Sequence, residues 1–170
     1  MKNLSILCVI ILFALSSCNG GTKSSGGTNA AVKPLPFPEN SQQAKDNALI
    51  IDYIKAKNFK NIKNTNSGIY YFMEKEGTGE HPTASSRVKA HYHGELLNGT
   101  KFDSSYDRNQ PLDFNLGQVV RGWGISIPLL KKGGKGKFII PSDLAYGPRA
   151  QGKIPANSVL VFDIELVDFQ

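Results

Sequence analysis

Gly99-Thr100-Lys101-Phe102-Asp103-Ser104-Ser105-Tyr106-Asp107-Arg108 decides the reading of this chain. Asn98-Gly99 at its start is a tight-turn signal. It links an alternating strand over residues 87–97, with Val88, Ala90, Tyr92 and Gly94 on one face, to a returning strand that carries Phe102. Three further segments follow: Val119-Val120-Arg121-Gly122-Trp123, then Asp143-Leu144-Ala145-Tyr146-Gly147, then Val161-Phe162-Asp163. Together they supply many aromatics, one carboxylate beside apolar Phe102, and no nucleophile. That inventory suits a pocket that binds and twists its ligand rather than one that cuts it. A single aromatic is usually core, but Tyr92 and Tyr146 carry polar tips that a core does not need.

The pattern around this stretch is one of short strands. Residues 68–73 are aromatic and β-favouring. Residues 112–116 and 135–140 read as further strands. Over 159–167 the chain alternates, so that Leu160, Phe162, Ile164 and Leu166 share a face. A short helix fits residues 121–130, limited or bent by Pro128. Upstream, Asn40 is a candidate cap with Gln43 at capping-box spacing, which predicts a helix over 41–57. Its apolar residues Leu49, Ile50, Ile51, Tyr53 and Ile54 span roughly 200° of arc, wider than one packing face requires. The reading is a helix laid in a groove of its own domain, with a helix shared between subunits as the alternative and the oligomeric state open. The class is α+β.

Charge narrows the function. The chain has a formal net charge of +6, but residues 68–170 hold 12 basic and 11 acidic side chains, against 7 and 3 in residues 19–67. A nucleic-acid binder needs a clustered basic face with stacking aromatics, and a near-neutral domain argues against one. His91 and His93 are two apart on a strand and share a face away from Tyr92, but no Cys, Asp or Glu completes a metal set, so exposed strand histidines are expected. Gly133-Gly134-Lys135-Gly136-Lys137 lacks the spacing of a phosphate loop and reads as a basic turn. No cofactor is expected.

In order, wording and spacing, residues 68–170 resemble the FK506-binding-protein (FKBP) family of peptidyl-prolyl cis–trans isomerases. The resemblance implies a curved antiparallel β-sheet wrapped around a short α-helix, here preceded by the helix at 41–57. It implies a pocket with Trp123 as floor and Tyr92, Phe102, Val119, Val120 and Phe162 as walls, with Leu112 and Ile154 as further contacts. Tyr146 would donate its hydroxyl to a substrate carbonyl. Asp103 would orient the reacting carbonyl, and Arg108 would hold Asp103 and Tyr92. The implied substrates are proline-containing polypeptides, and FK506-type macrolides are implied ligands. Three departures bear on macrolide affinity. Leu112 stands where an aromatic is usual, Lys153 stands where an aliphatic is usual, and the loop at 148–152 is short. The implied activity is isomerisation that assists folding of exported proteins. A non-catalytic proline-peptide-binding or assembly module of an envelope complex is the rival.

The N-terminal end reads as an address. Lys2 precedes an apolar run over 4–15 that is too short to span a bilayer comfortably. Leu15-Ser16-Ser17-Cys18 resembles a lipoprotein cleavage box. The expected organisation is a signal over 1–17, a lipidated Cys18 with a flexible then Pro-rich tether over 18–40, a helix and connector over 41–67, and the isomerase domain over 68–170. Cys18 would then attach the chain to a membrane of the cell envelope, facing the periplasm or on the outer membrane. Leu35-Pro36 and Phe37-Pro38 are apolar–proline pairs of the kind such pockets take, but a stiff spacer is the simpler reading.

Overall fold

The computed structural model describes residue 32 and residues 34–170; the expected signal, Cys18 and the Gly/Ser-rich part of the tether lie outside them. Among the described residues no helix is long and apolar enough to cross a membrane. The elements are α1 (Gln42–Ala56), β1 (Lys63–Asn64), β2 (Tyr70–Lys75), β3 (Arg87–Leu96), β4 (Lys101–Ser104), β5 (Leu112–Asn115), α2 (Arg121–Ser126), β6 (Lys135–Ile140) and β7 (Leu160–Phe169). The seven strands form one antiparallel sheet in the order β1-β2-β6-β7-β3-β4, and β5 pairs with the start of β3 on the same edge as β4.

Alternation assigns the two faces. Val88, Ala90 and Tyr92 of β3, Phe138 and Ile140 of β6, and Leu160, Phe162, Ile164 and Leu166 of β7 enclose Trp123 and Ile127 in one core. This is the expected sheet wrapped on a short helix. Pro128 ends α2 by forcing its continuation, Ile127–Leu129, into a 3₁₀ turn. Helix α2 also lies close to the sheet. A Cβ on Gly122 would come within 2.5 Å of Ile140 Cγ2 and 3.1 Å of the Leu144 carbonyl oxygen, so only glycine admits this approach.

The other face is covered too. Ile50, Ile51, Tyr53 and Ile54 of α1 pack with Tyr70, Ile139, Val159 and Val161 into a second core. Tyr70, fully buried, donates its hydroxyl to Asn47 Oδ1 at 2.7 Å. Four of the five apolar residues of α1 are thus spent within its own domain, whereas Leu49 stays 51% exposed. Replacing fully buried Ile50 by alanine is expected to cost about 2–5 kcal/mol, read as a lower urea midpoint for the whole chain. A helix that merely leaned on the sheet would show no such shift.

Two local expectations change. The cap of α1 is Ser41, whose Oγ accepts from the Ala44 N–H at 3.0 Å. Asn40, expected in that role, has a φ of +62° and belongs to the preceding turn, so the capping-box pairing with Gln43 does not form. The Pro-rich segment at 34–38 is no free spacer. Leu35 is half-buried against the second core, and the Phe37 ring lies over Gly68.

Candidate functional site

A bulge between Gly94 and Glu95, where β3 meets β4, aims Phe102 across the sheet. Gly94 makes room for it, since a Cβ there would lie 2.6 Å from the Phe102 ring. Phe102 meets Phe162 edge-on at 5.5 Å, and Phe162 meets Trp123 edge-on at 5.4 Å. Tyr92 stands edge-on to the same indole at 5.0 Å. Trp123 is only 5% exposed, and that exposed part is the floor of a cleft of about 500 Å³.

The cleft gathers ten of the sequence-expected residues: Tyr92, Phe102, Asp103, Leu112, Val119, Val120, Trp123, Tyr146, Ile154 and Phe162. Arg108, expected among the binding residues, does not line it. The 3₁₀ turn Tyr106–Arg108 folds Arg108 back behind Asp103 instead. Lys153, noted as a departure, is at the rim with Gln151 and Gly152, where a Gln151–Ile154 bridge closes a tight turn. Gln118 also lines the cleft, and Phe114 supports the indole from below at 5.4 Å. Sequence reasoning missed Gln118, Gln151, Gly152 and Phe114. Gln118 adjoins the Val119-Val120 motif, and Phe114 alternates with Leu112, so both had a weak signal.

Asp103 is the polar centre of the wall. Its Oδ1 accepts from Arg108 Nη1 at 2.6 Å and from the Ser104 N–H at 2.8 Å. Its Oδ2 accepts the Tyr92 hydroxyl in a short hydrogen bond. Arg108 Nη2 reaches the Tyr92 oxygen at 2.8 Å, and its guanidinium lies 5.8 Å from the ring centroid. Partial burial would raise the Asp103 carboxyl, but the hydrogen bonds from Tyr92, Arg108 and the Ser104 N–H outweigh it and hold the group below the usual carboxylate range. Burial, then the bond to Asp103, push the Tyr92 hydroxyl up to about 12. The triad is therefore an ionised carboxylate, a cation and a neutral phenol through the neutral range. Tyr146 is partly exposed at the rim, and no protein partner for its hydroxyl is present among the described residues.

This fixes the pH behaviour. The lowered Asp103 contributes its organisation above its ordinary pKa of about 3.9 and loses it as pH falls below that. The raised Tyr92 contributes below its ordinary pKa of about 10 and loses its proton only toward about 12. Ligand handling is expected to be flat from about pH 5 to 9, checked as a pH–rate profile. A midpoint near 6.5 would indicate a histidine instead.

The histidines are not the exposed pair expected. His91 is half-buried, stacked on Tyr106 at 4.7 Å with Nδ1 3.0 Å from Ser105 Oγ, and His93 lies 3.8 Å from Glu95. They do face away from Tyr92. Among the described residues no group of three His, Cys, Asp or Glu is arranged to hold a metal ion.

Comparison with known proteins agrees with this geometry. A family model described as FKBP-type peptidyl-prolyl cis-trans isomerase matches residues 78–167. A protein of Aeromonas hydrophila named FKBP-type peptidyl-prolyl cis-trans isomerase FkpA is 51% identical over 141 residues, covering 82% of this chain and 53% of its own. The crystal structure of FkpA from Escherichia coli superposes with a TM-score of 0.68 at 41% identity, over 75% of this chain and 61% of that one. A peptidyl-prolyl cis-trans isomerase from Pseudomonas syringae gives a TM-score of 0.64 at 32% identity, over 79% of this chain and 99% of its own. The chain spans about half the length of the Aeromonas relative. It belongs to the FKBP-type peptidyl-prolyl cis-trans isomerase family.

Proposed function

We propose that this chain, as a member of the FKBP-type family, is a peptidyl-prolyl cis–trans isomerase that assists folding of exported proteins. The observation that supports it most is the Trp123-floored aromatic cleft beside the Tyr92–Asp103–Arg108 triad. Among the described residues no cysteine, serine, threonine or histidine lines that cleft.

An X–Pro amide rotates slowly because resonance makes its C–N bond partly double. The barrier is roughly 20 kcal/mol, and the uncatalysed time is tens of seconds. In the half-turned state the carbonyl loses dipole and the nitrogen becomes pyramidal. An apolar cleft disfavours the more polar planar amide relative to that state, and no covalent bond forms. A gain of about 10⁵ in rate requires roughly 7 kcal/mol of preferential binding to the twisted form. The proline ring sits on Trp123 between Phe102, Phe162, Val119 and Val120. The Tyr146 hydroxyl, free at the rim, donates to a substrate carbonyl. Asp103, with its charge neutralised by Arg108, orients the reacting carbonyl. Tyr146→Phe is expected to lower kcat/KM about 3–10-fold in a protease-coupled proline-peptide assay, the worth of one hydrogen bond. An unchanged rate would remove Tyr146 from the site.

The relatives carry isomerase names, which favours turnover over the non-catalytic binding module. FK506-type macrolides enter the same cleft in this reading, held less tightly because Leu112 is partly exposed and Lys153 makes the rim polar. Location in the cell envelope through a lipid on Cys18 rests on the leader and on the Leu15-Ser16-Ser17-Cys18 box.

A further inference from the structure

Asp46 is fully buried on α1, and no ion pair holds it among the described residues. Its Oδ1 accepts from Gln42 Nε2 at 2.7 Å. Its Oδ2 accepts the backbone N–H of Ser142, 96 residues away, also at 2.7 Å. Taking a carboxylate wholly out of water is costly unless its hydrogen bonds are fixed and good. Docking of α1 does not call for it, since Ile50, Ile51, Tyr53 and Ile54 already supply an apolar face. The Ser142 peptide is what gains a fixed position.

Ser142 opens the loop that carries Tyr146. Its carbonyl oxygen accepts from the Ala145 N–H at 3.0 Å and from the Gly147 N–H at 2.8 Å. Those two amides bracket Tyr146. A second strut from α1, Gln43 Nε2 to Asp143 Oδ2 at 3.0 Å, runs beside the first. The path is therefore Asp46, Ser142, then the two peptides flanking the residue at the cleft rim. Helix α1 lies outside residues 78–167 that match the family model, so this strut belongs to the extension rather than to the matched domain.

We propose that Asp46 is a positioning residue for the site, holding the Ser142–Tyr146 loop so that the Tyr146 hydroxyl meets the substrate carbonyl; the catalytic half of this rests on the isomerase reading above. Asp46→Leu keeps the branched outline, though it is bulkier, and deletes both acceptors, whereas Asp46→Asn retains an acceptor for Ser142. In the full chain, Asp46→Leu is expected to lower kcat/KM about fivefold, and by less than about twofold when Tyr146 is already phenylalanine, because both changes act on one hydroxyl. Asp46→Asn is expected to restore most of the loss. Amide exchange at Ala145 and Gly147 is expected to quicken about tenfold in Asp46→Leu, with β3 and β7 unaffected.

Equal losses in the native and Tyr146→Phe backgrounds would make Asp46 merely a stabilising residue and overturn the proposal. So would unchanged exchange at Ala145 and Gly147. Should Asp46→Leu fail to fold, Ser142→Pro deletes the same bond from the loop side. Pro141 already has the extended φ of −65° and ψ of 155° that a following proline requires, and Ser142 begins a 3₁₀ turn, where proline is tolerated. If the native chain shows no isomerase activity, the isomerase reading fails by itself. The exchange data and the proline-peptide Kd of the same variants then still decide whether Asp46 positions the loop.

Discussion

Asp103→Ala is expected to lower kcat/KM on an X–Pro peptide by about 10–100-fold while the chain stays folded. The carboxylate accepts from Tyr92, Arg108 and the Ser104 N–H at once. Removing it leaves the Tyr92 hydroxyl with Arg108 as its remaining partner, and leaves Arg108 with no carboxylate to lie against. Tyr92, which lines the cleft, and Arg108, which backs it, then lose their positions together, which is why the loss exceeds that of a single hydrogen bond. Stability should change little, because the Asp103 side chain is 43% exposed and the pair is screened by water. Asp103→Asn, which keeps an acceptor for Tyr92, is expected to fall between the two. Circular dichroism checks the fold and the proline-peptide assay the rate. Full activity in a folded Asp103→Ala chain would remove the triad from the account.

Trp123→Ala carries the largest stability effect. The indole is almost wholly buried and touches Tyr92, Phe114 and Phe162 within 5.0–5.4 Å. Its loss opens a cavity under the cleft and is expected to cost about 3–5 kcal/mol, with a fall in Tm of about 10–20 °C. Binding of a Leu-Pro peptide should weaken at least about tenfold, because the proline ring loses its floor. Trp123→Phe refills part of the volume and should recover part of both. A Trp123→Ala chain that melts as the native one does would mean that the indole neither supports the core nor floors the cleft.

Much of this was legible beforehand because it is local or periodic. The period-2 alternation of β3 and β7 announced which faces meet α2, and the Asn98-Gly99 turn returned the chain to bring Phe102 and Asp103 beside Tyr92. Pro128 marked the end of α2. The missed features are long-range. Nothing near Asp46 in sequence announces that its carboxylate caps a peptide 96 residues away. Leu35 and Phe37 read as spacer because their partners, the second core and Gly68, are assembled only by the fold. Arg108, expected to hold Asp103 and Tyr92, bonds both; what the motif does not show is that the turn at Tyr106–Arg108 sets it outside the cleft rather than among the residues that line it. Asn40, the expected cap, yields that role to Ser41 because its own φ of +62° places it in the preceding turn, which the identity of the residue does not specify.

The central claim is that the Trp123 cleft speeds rotation about a prolyl bond. Exchange between the cis and trans proton resonances of a Leu-Pro peptide, followed by NMR with the native chain at catalytic concentration, tests it most directly. Trp123 is the chain's one tryptophan, so its fluorescence reports in the same sample whether the peptide is seated. The account predicts exchange accelerated from once in tens of seconds to many times per second, with Asp103→Ala returning most of the way to the uncatalysed rate. A native chain whose tryptophan signal saturates with peptide while exchange stays at the uncatalysed rate would contradict it, and would leave a proline-binding module in place of an isomerase.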